Sequence, residues 1–180
     1  EIKIISALGE SLLDPKHGTL MRHELAYVMG QIKDDRCRAP LEKCLANTSD
    51  CPIVRHECAE ALATINSHSS LPLLQKLALD NDTPFEVSQT CQIAVDYMNW
   101  RRNGANVSEE PAACACMTNP YSSADPAPPH PSHADLSTSQ IGDILKDETR
   151  ALFERYRAMF SLRNRGGSSA VVGLGGALTT

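Results

Sequence analysis

Leu20-Met-Arg-His-Glu-Leu-Ala-Tyr-Val-Met-Gly-Gln-Ile32 returns as Ile53-Val-Arg-His-Glu-Cys-Ala-Glu-Ala-Leu-Ala-Thr-Ile65, displaced by 33 residues. One period further on, Ser88-Gln89-Thr90-Cys91 stands against Arg55-His56-Glu57-Cys58, keeping the framework without the His-Glu pair. Self-similarity at such a period marks a repeat architecture. Each copy also places apolar residues at i, i+3, i+4 and i+7, the stripe of an amphipathic helix. These are Leu25, Val28, Met29 and Ile32, then Cys58, Ala61, Leu62 and Ile65, then Cys91, Ala94, Val95 and Met98. The pattern predicts three helices with those residues turned to the core. Thr19, Asp50 or Cys51 ahead of Pro52, and Thr83 ahead of Pro84 supply their starts.

Shorter apolar segments, Pro40-Leu-Glu-Lys-Cys-Leu45 and Leu71-Pro-Leu-Leu-Gln-Lys-Leu77, lie between the long ones. A long helix alternating with a short one at this period predicts an all-α fold, an α-solenoid of HEAT-like helical hairpins. Ankyrin and tetratricopeptide repeats share the period, but Thr-Pro-Leu-His and the Trp-Leu-Gly-Tyr pattern are missing. Residues 1–100 therefore form N-terminal repeats. Residues 101–136, with Asp125-Pro-Ala-Pro-Pro-His-Pro131, read as a Pro-rich connecting loop. Residues 137–180 open a second set of repeats, in which Arg155-Tyr156-Arg157-Ala158 overlays Arg55-His56-Glu57-Cys58. The expectation is an N-terminal half and the start of a second half, cut short after Thr180, with about one repeat missing before Glu1.

Composition narrows the class. Hydrophobic residues are 42% and aromatics 4% of the 180, so the core rests on aliphatic side chains, which suits stacked helices. A net charge of −5 argues against nucleic-acid binding, which needs surplus Lys and Arg. No apolar run reaches the roughly 20 residues of a membrane span. The seven cysteines are an odd number with no secretory leader, so reduced thiols and a cytoplasmic address are expected. The seven-residue spacing of Cys37, Cys44, Cys51 and Cys58 is read as chance, because Pro40 and Pro52 interrupt any single helix through them.

His23-Glu24 and His56-Glu57 occupy equivalent repeat positions. At 100° per residue, His23 lies about 170° and Glu24 about 90° from the centre of the apolar stripe, so both are expected on the open face. Imidazole with carboxylate suits iron, manganese or zinc, and a set with open positions is what non-haem iron uses toward oxygen. Exposed His and Glu copied by duplication are also common, so a non-catalytic HEAT scaffold is the competing reading. Neither pair is a zinc-protease motif, since Tyr27 and Glu60 stand where a second His is required. Two pairs offer too few donors for a closed dinuclear centre, so further ligands must come from an opposite side. His17, His68, His130 and His133 lie outside the repeat position, the last two being expected in solvent.

Leu20 to Gln31, Val54 to Leu62, Asp125-Pro-Ala-Pro-Pro129 and Leu152-Phe-Glu-Arg-Tyr-Arg-Ala-Met-Phe160 together resemble the deoxyhypusine hydroxylase family along essentially the whole chain. The resemblance implies a dyad of two pseudo-symmetric HEAT-repeat halves joined by a variable loop, each half carrying two His-Glu pairs. It implies a centre of two Fe(2+) ions between the halves, dioxygen as co-substrate, and hydroxylation of deoxyhypusine to hypusine on a eukaryotic translation initiation factor. By position, His23, Glu24, His56 and Glu57 resemble the N-terminal half of the metal-ligand set. The second half's pairs are expected beyond Thr180. Oligomeric state is left open.

Overall fold

The computed structural model describes residues 2–103, 119 and 124–178, and among them every regular element is helical. The chain divides into two compact units, residues 1–104 and 105–180.

The first unit is three hairpins. Helix α1 (Ile2–Leu13) precedes α2 (Gly18–Ile32), α3 (Arg38–Ala46) precedes α4 (Pro52–Ile65), and α5 (Leu71–Leu79) precedes α6 (Phe85–Arg102). In each case a short helix feeds a longer one, as the repeat predicts. Pro52 opens α4 with a fixed φ at a position whose N–H would have no helical partner. Lys33 and Asn66, one period apart, end α2 and α4 in left-handed conformation (φ 55° and 60°), returning their N–H groups to Gly30 O and Ala63 O. The longer helices form a row in which α4 packs on both α2 and α6, while α1 packs on α3. Leu12, Met29, Leu41, Leu45, Leu62, Leu74 and Met98 are fully buried, each contributing about 2–3 kcal/mol by leaving water.

The register of the core differs from expectation on α2. Leu25 is only partly covered, and Val28 and Ile32 are 43% and 39% exposed. The buried face is Arg22, Ala26, Met29 and Gly30. Gly30 is inside because α2 approaches α4 closely there: a Cβ on it would stand 3.0 Å from Ala61 Cα. Arg22 is inside because its charge is met by Asp50. On α6 the predicted Cys91, Ala94, Val95 and Met98 are all buried.

The second unit packs α7 (Thr138–Lys146), α8 (Leu152–Arg165) and α9 (Gly167–Gly176) around Ile141, Leu145, Ala158, Leu162 and Ala170. Ser137 and Gln140 form a capping box at the start of α7. The described Pro-rich residues are irregular in backbone yet fastened to α8. Arg157 donates to Pro128 O and Pro129 O at 2.8 and 3.1 Å, and Arg163 holds Asp125 at 2.9 and 2.7 Å. His133 is therefore not solvated as expected: it is 3% exposed, with Nδ1 2.7 Å from Ser161 Oγ. Burial and the cations around it push its imidazole down to about 4. His130 is partly covered beside it, ring centroids 5.6 Å apart.

Candidate metal centre

Stacking α2 against α4 sets one repeat's histidine against the next repeat's glutamate. His23 Nε2 lies 3.2 Å from Glu57 Oε2. The His23 and His56 rings are 5.6 Å apart between centroids. One ligand atom from each of His23, His56 and Glu57 falls within 4.8 Å of the others. Glu24 is outside this trio. Its carboxylate lies 3.1 Å from His23 Nδ1, and its side chain is 56% exposed. The two pairs are equivalent in sequence but not in surroundings. Helix α4 has a neighbour on each side, whereas among the described residues α2 is the first of the row. Glu57 is thus buried between α4 and its neighbours, not on the open face where both pairs are expected, and Glu24 looks outward.

The electrostatics follow from that burial. Desolvation pushes the Glu57 carboxyl up to about 8, and the charges of Glu60 and Glu24 push the same way. Desolvation, then the His23 imidazole, hold His56 below the usual histidine range, with Glu86 pulling the other way. The buried carboxyl of Glu57 thus faces His23 Nε2 in surroundings that disfavour its charge, and a cation held there would offset that cost. Two imidazoles and one carboxylate, one His oriented from behind by a second carboxylate, fit a transition metal. The donor set leaves coordination positions open to a co-substrate or to ligands from elsewhere.

Sequence reading missed the residue before each pair. Arg22 and Arg55 are 6% and 1% exposed. Each sends Nε to the carbonyl ten residues earlier, Leu12 O at 2.6 Å and Leu45 O at 2.9 Å, near the end of the preceding short helix. Arg155 repeats the contact on Leu145 O at 2.9 Å. Each satisfies a carbonyl that the helix end leaves without an internal partner. The signal was present in the recurring Arg-His-Glu, but an arginine on a helix reads as surface.

A family model described as HEAT repeats matches residues 5–95. The chain is 42% identical over 171 residues to the deoxyhypusine hydroxylase of Danio rerio, covering 95% of this chain and 52% of that protein. It is 42% identical over 155 residues to the human enzyme (86% and 47%) and 37% identical over 172 residues to the Saccharomyces cerevisiae one (96% and 51%). The solved structure of human deoxyhypusine hydroxylase in complex with glycerol superposes with a TM-score of 0.77 at 34% identity, over 99% of this chain and 68% of that one. The chain spans about half the length of the curated relatives it matches.

Proposed function

The chain belongs to the deoxyhypusine hydroxylase family, and on that premise we propose that it furnishes one wall of an iron site for dioxygen-dependent hydroxylation of a deoxyhypusine side chain. The acceptor is the translation initiation factor that carries this modification. One observation carries the reading: His23, His56 and Glu57, from two successive repeats, converge to within 4.8 Å. His23 Nε2, a ring nitrogen of His56 and a Glu57 oxygen would hold the metal, and Glu24 would fix the His23 ring through Nδ1. Iron(II) held by these residues would supply the electrons that activate dioxygen. Burial pushes the Glu57 carboxyl up to about 8, so loading at neutral pH would couple metal uptake to proton release from it.

The family resemblance implies two ions, so two donor sets would be needed, and the pairs at hand would supply one of them. The substrate tail is a cationic polyamine. Glu24 and Glu86, both exposed near the trio, suit an ammonium group. The free thiols of Cys37, Cys44, Cys58 and Cys91, all buried, suit a reducing compartment, and a cytoplasmic address belongs to the same proposal.

The test is iron content after anaerobic loading, set beside hydroxylation of a deoxyhypusine-bearing factor. The chain should hold iron, and His56→Ala and Glu57→Gln should each lose it. Iron retained undiminished in both variants, or never bound by the parent chain, would refute the reading and leave a protein-binding HEAT scaffold.

A further inference from the structure

We propose that Asp50 is a positioning residue for the metal-ligand set: by gripping Arg22 it locks α2 to the start of α4 and so holds His23 opposite Glu57. The inference rests on the metal reading of the trio and adds to it how the trio is kept together.

Asp50 stands two residues ahead of Pro52, the first residue of α4, and its Oδ1 accepts from Cys51 N at 2.8 Å. Arg22 Nη1 donates to the same oxygen at 2.8 Å, and Nη2 pairs with Oδ2. Arg22 is already tethered through Nε to Leu12 O at 2.6 Å. The guanidinium thus joins the end of α1, the second turn of α2 and the start of α4 in one planar fork. Its side chain is 7% exposed and that of Asp50 is 10% exposed, so water competes little for the pair. His23 is the next residue after Arg22, and Glu57 lies about one and a half turns along α4 from Pro52, just after Asp50. A clamp there therefore fixes the axial register of the two ligand-bearing helices.

The next step of the solenoid is a natural contrast. Arg55 keeps its contact with Leu45 O, yet Thr83 stands one period after Asp50, and the buried Nη2 of Arg55 has no hydrogen-bond partner among the described residues. At that step α6 carries Gln89 and Thr90 in place of a His-Glu pair. Arg155 with Leu145 O shows again that the Nε contact is part of the repeat itself. The carboxylate is the added element, and it occurs at the step where ligands from two helices must meet.

Asp50→Thr tests this, because the chain already folds with Thr83 at the equivalent place. The probe is Co2+ alone, titrated into the full chain, with affinity and d–d spectrum as readouts and helicity as the fold check. Asp50→Thr should bind Co2+ about tenfold or more weakly, with an altered spectrum. Leu74→Ala, a core truncation in α5, should lower the thermal midpoint yet leave affinity and spectrum alone. Wild-type affinity and spectrum in Asp50→Thr, or an equal loss in Leu74→Ala, would overturn the proposal. Should Asp50→Thr not fold, Asp50→Asn is read by the same criteria. Failure of the parent chain to bind Co2+ is a separate outcome: it removes the metal reading, and this proposal with it.

Discussion

Replacing Gly30 by Ala is expected to damage the proposed metal site far more than the fold. The new Cβ would stand 3.0 Å from Ala61 Cα and 3.1 Å from Ala61 Cβ. Ordinary carbon contacts lie at about 3.5–4.0 Å, so α2 and α4 must part by about 0.5–1 Å. Overpacking of this kind costs about 1–3 kcal/mol. Ala in place of a helical Gly returns about 1 kcal/mol. The net loss is about 0–2 kcal/mol, which a helical hairpin array tolerates. The ligand trio is less forgiving. His23 sits on α2 seven residues from Gly30, about 10 Å along the same helix. Metal–ligand distances must hold to within about 0.2 Å, and a separation several times larger pulls His23 away from His56 and Glu57. Co2+ affinity should fall at least tenfold, read by spectral titration, while urea unfolding shifts by no more than about 2 kcal/mol. Adding Ala61→Gly should not rescue binding. It removes the 3.1 Å contact but leaves Cα at 3.0 Å. Unchanged affinity in Gly30→Ala, or a gain of the full helix-propensity increment, would refute the packing argument.

Three further outcomes follow from the same geometry. Glu57 titrates at about 8 in the folded chain against an ordinary 4.5, so unfolding releases a proton between those values and the metal-free chain loses stability as pH rises across that window. Glu57→Gln should abolish that slope in urea titrations with chelator present, and the parent chain should release a proton on binding Co2+ at pH 7. Arg22→Met leaves the Asp50 carboxylate buried without its cation, a loss of about 3 kcal/mol, whereas Arg55→Met removes a guanidinium whose Nη2 has no partner among the described residues and should cost about 1 kcal/mol, for the lost contact with Leu45 O; equal losses in thermal unfolding would contradict this. Arg163 grips Asp125 with both Nη groups and stacks on Phe160 at 4.7 Å, so Arg163→Ala should raise hydrogen exchange over residues 124–130 while α8 stays protected, and Arg163→Lys should not restore protection because an ammonium lacks the fork.

What could be read without coordinates was what repeats. The period exposed the hairpins, and the recurrence of His-Glu one period apart marked the candidate ligands. The core face of α2 was misread because two of its buried positions are a glycine, which has no side chain to score as apolar, and an arginine, whose burial depends on a carboxylate 28 residues away. Glu57 was likewise placed on the open face, since one helix taken alone cannot show that α4 has a neighbour on each flank. His133 gave no periodic signal at all. Its burial comes from a hydrogen bond to Ser161, on a helix that its own sequence neighbourhood does not announce.

The site is a product of stacking, not of any single repeat. Within one repeat His23 and Glu24 are adjacent on the chain, and they meet through Nδ1, on the side of the ring away from the trio. The contact at Nε2 comes from the next copy, where Glu57 is pressed between helices and made costly to ionise. Across this step the histidine comes from one copy and the glutamate from the next, while Glu24 stays with the histidine of its own copy. Such a device needs at least two consecutive copies, held at a fixed rise and twist. The third copy drops the pair, with Gln89 and Thr90 in its place, and keeps the helix that carries the position. On the proposed function, metal affinity and helical stacking are coupled quantities, and substitutions that alter the spacing of α2 and α4 without touching a ligand should move both, with the larger effect on the metal.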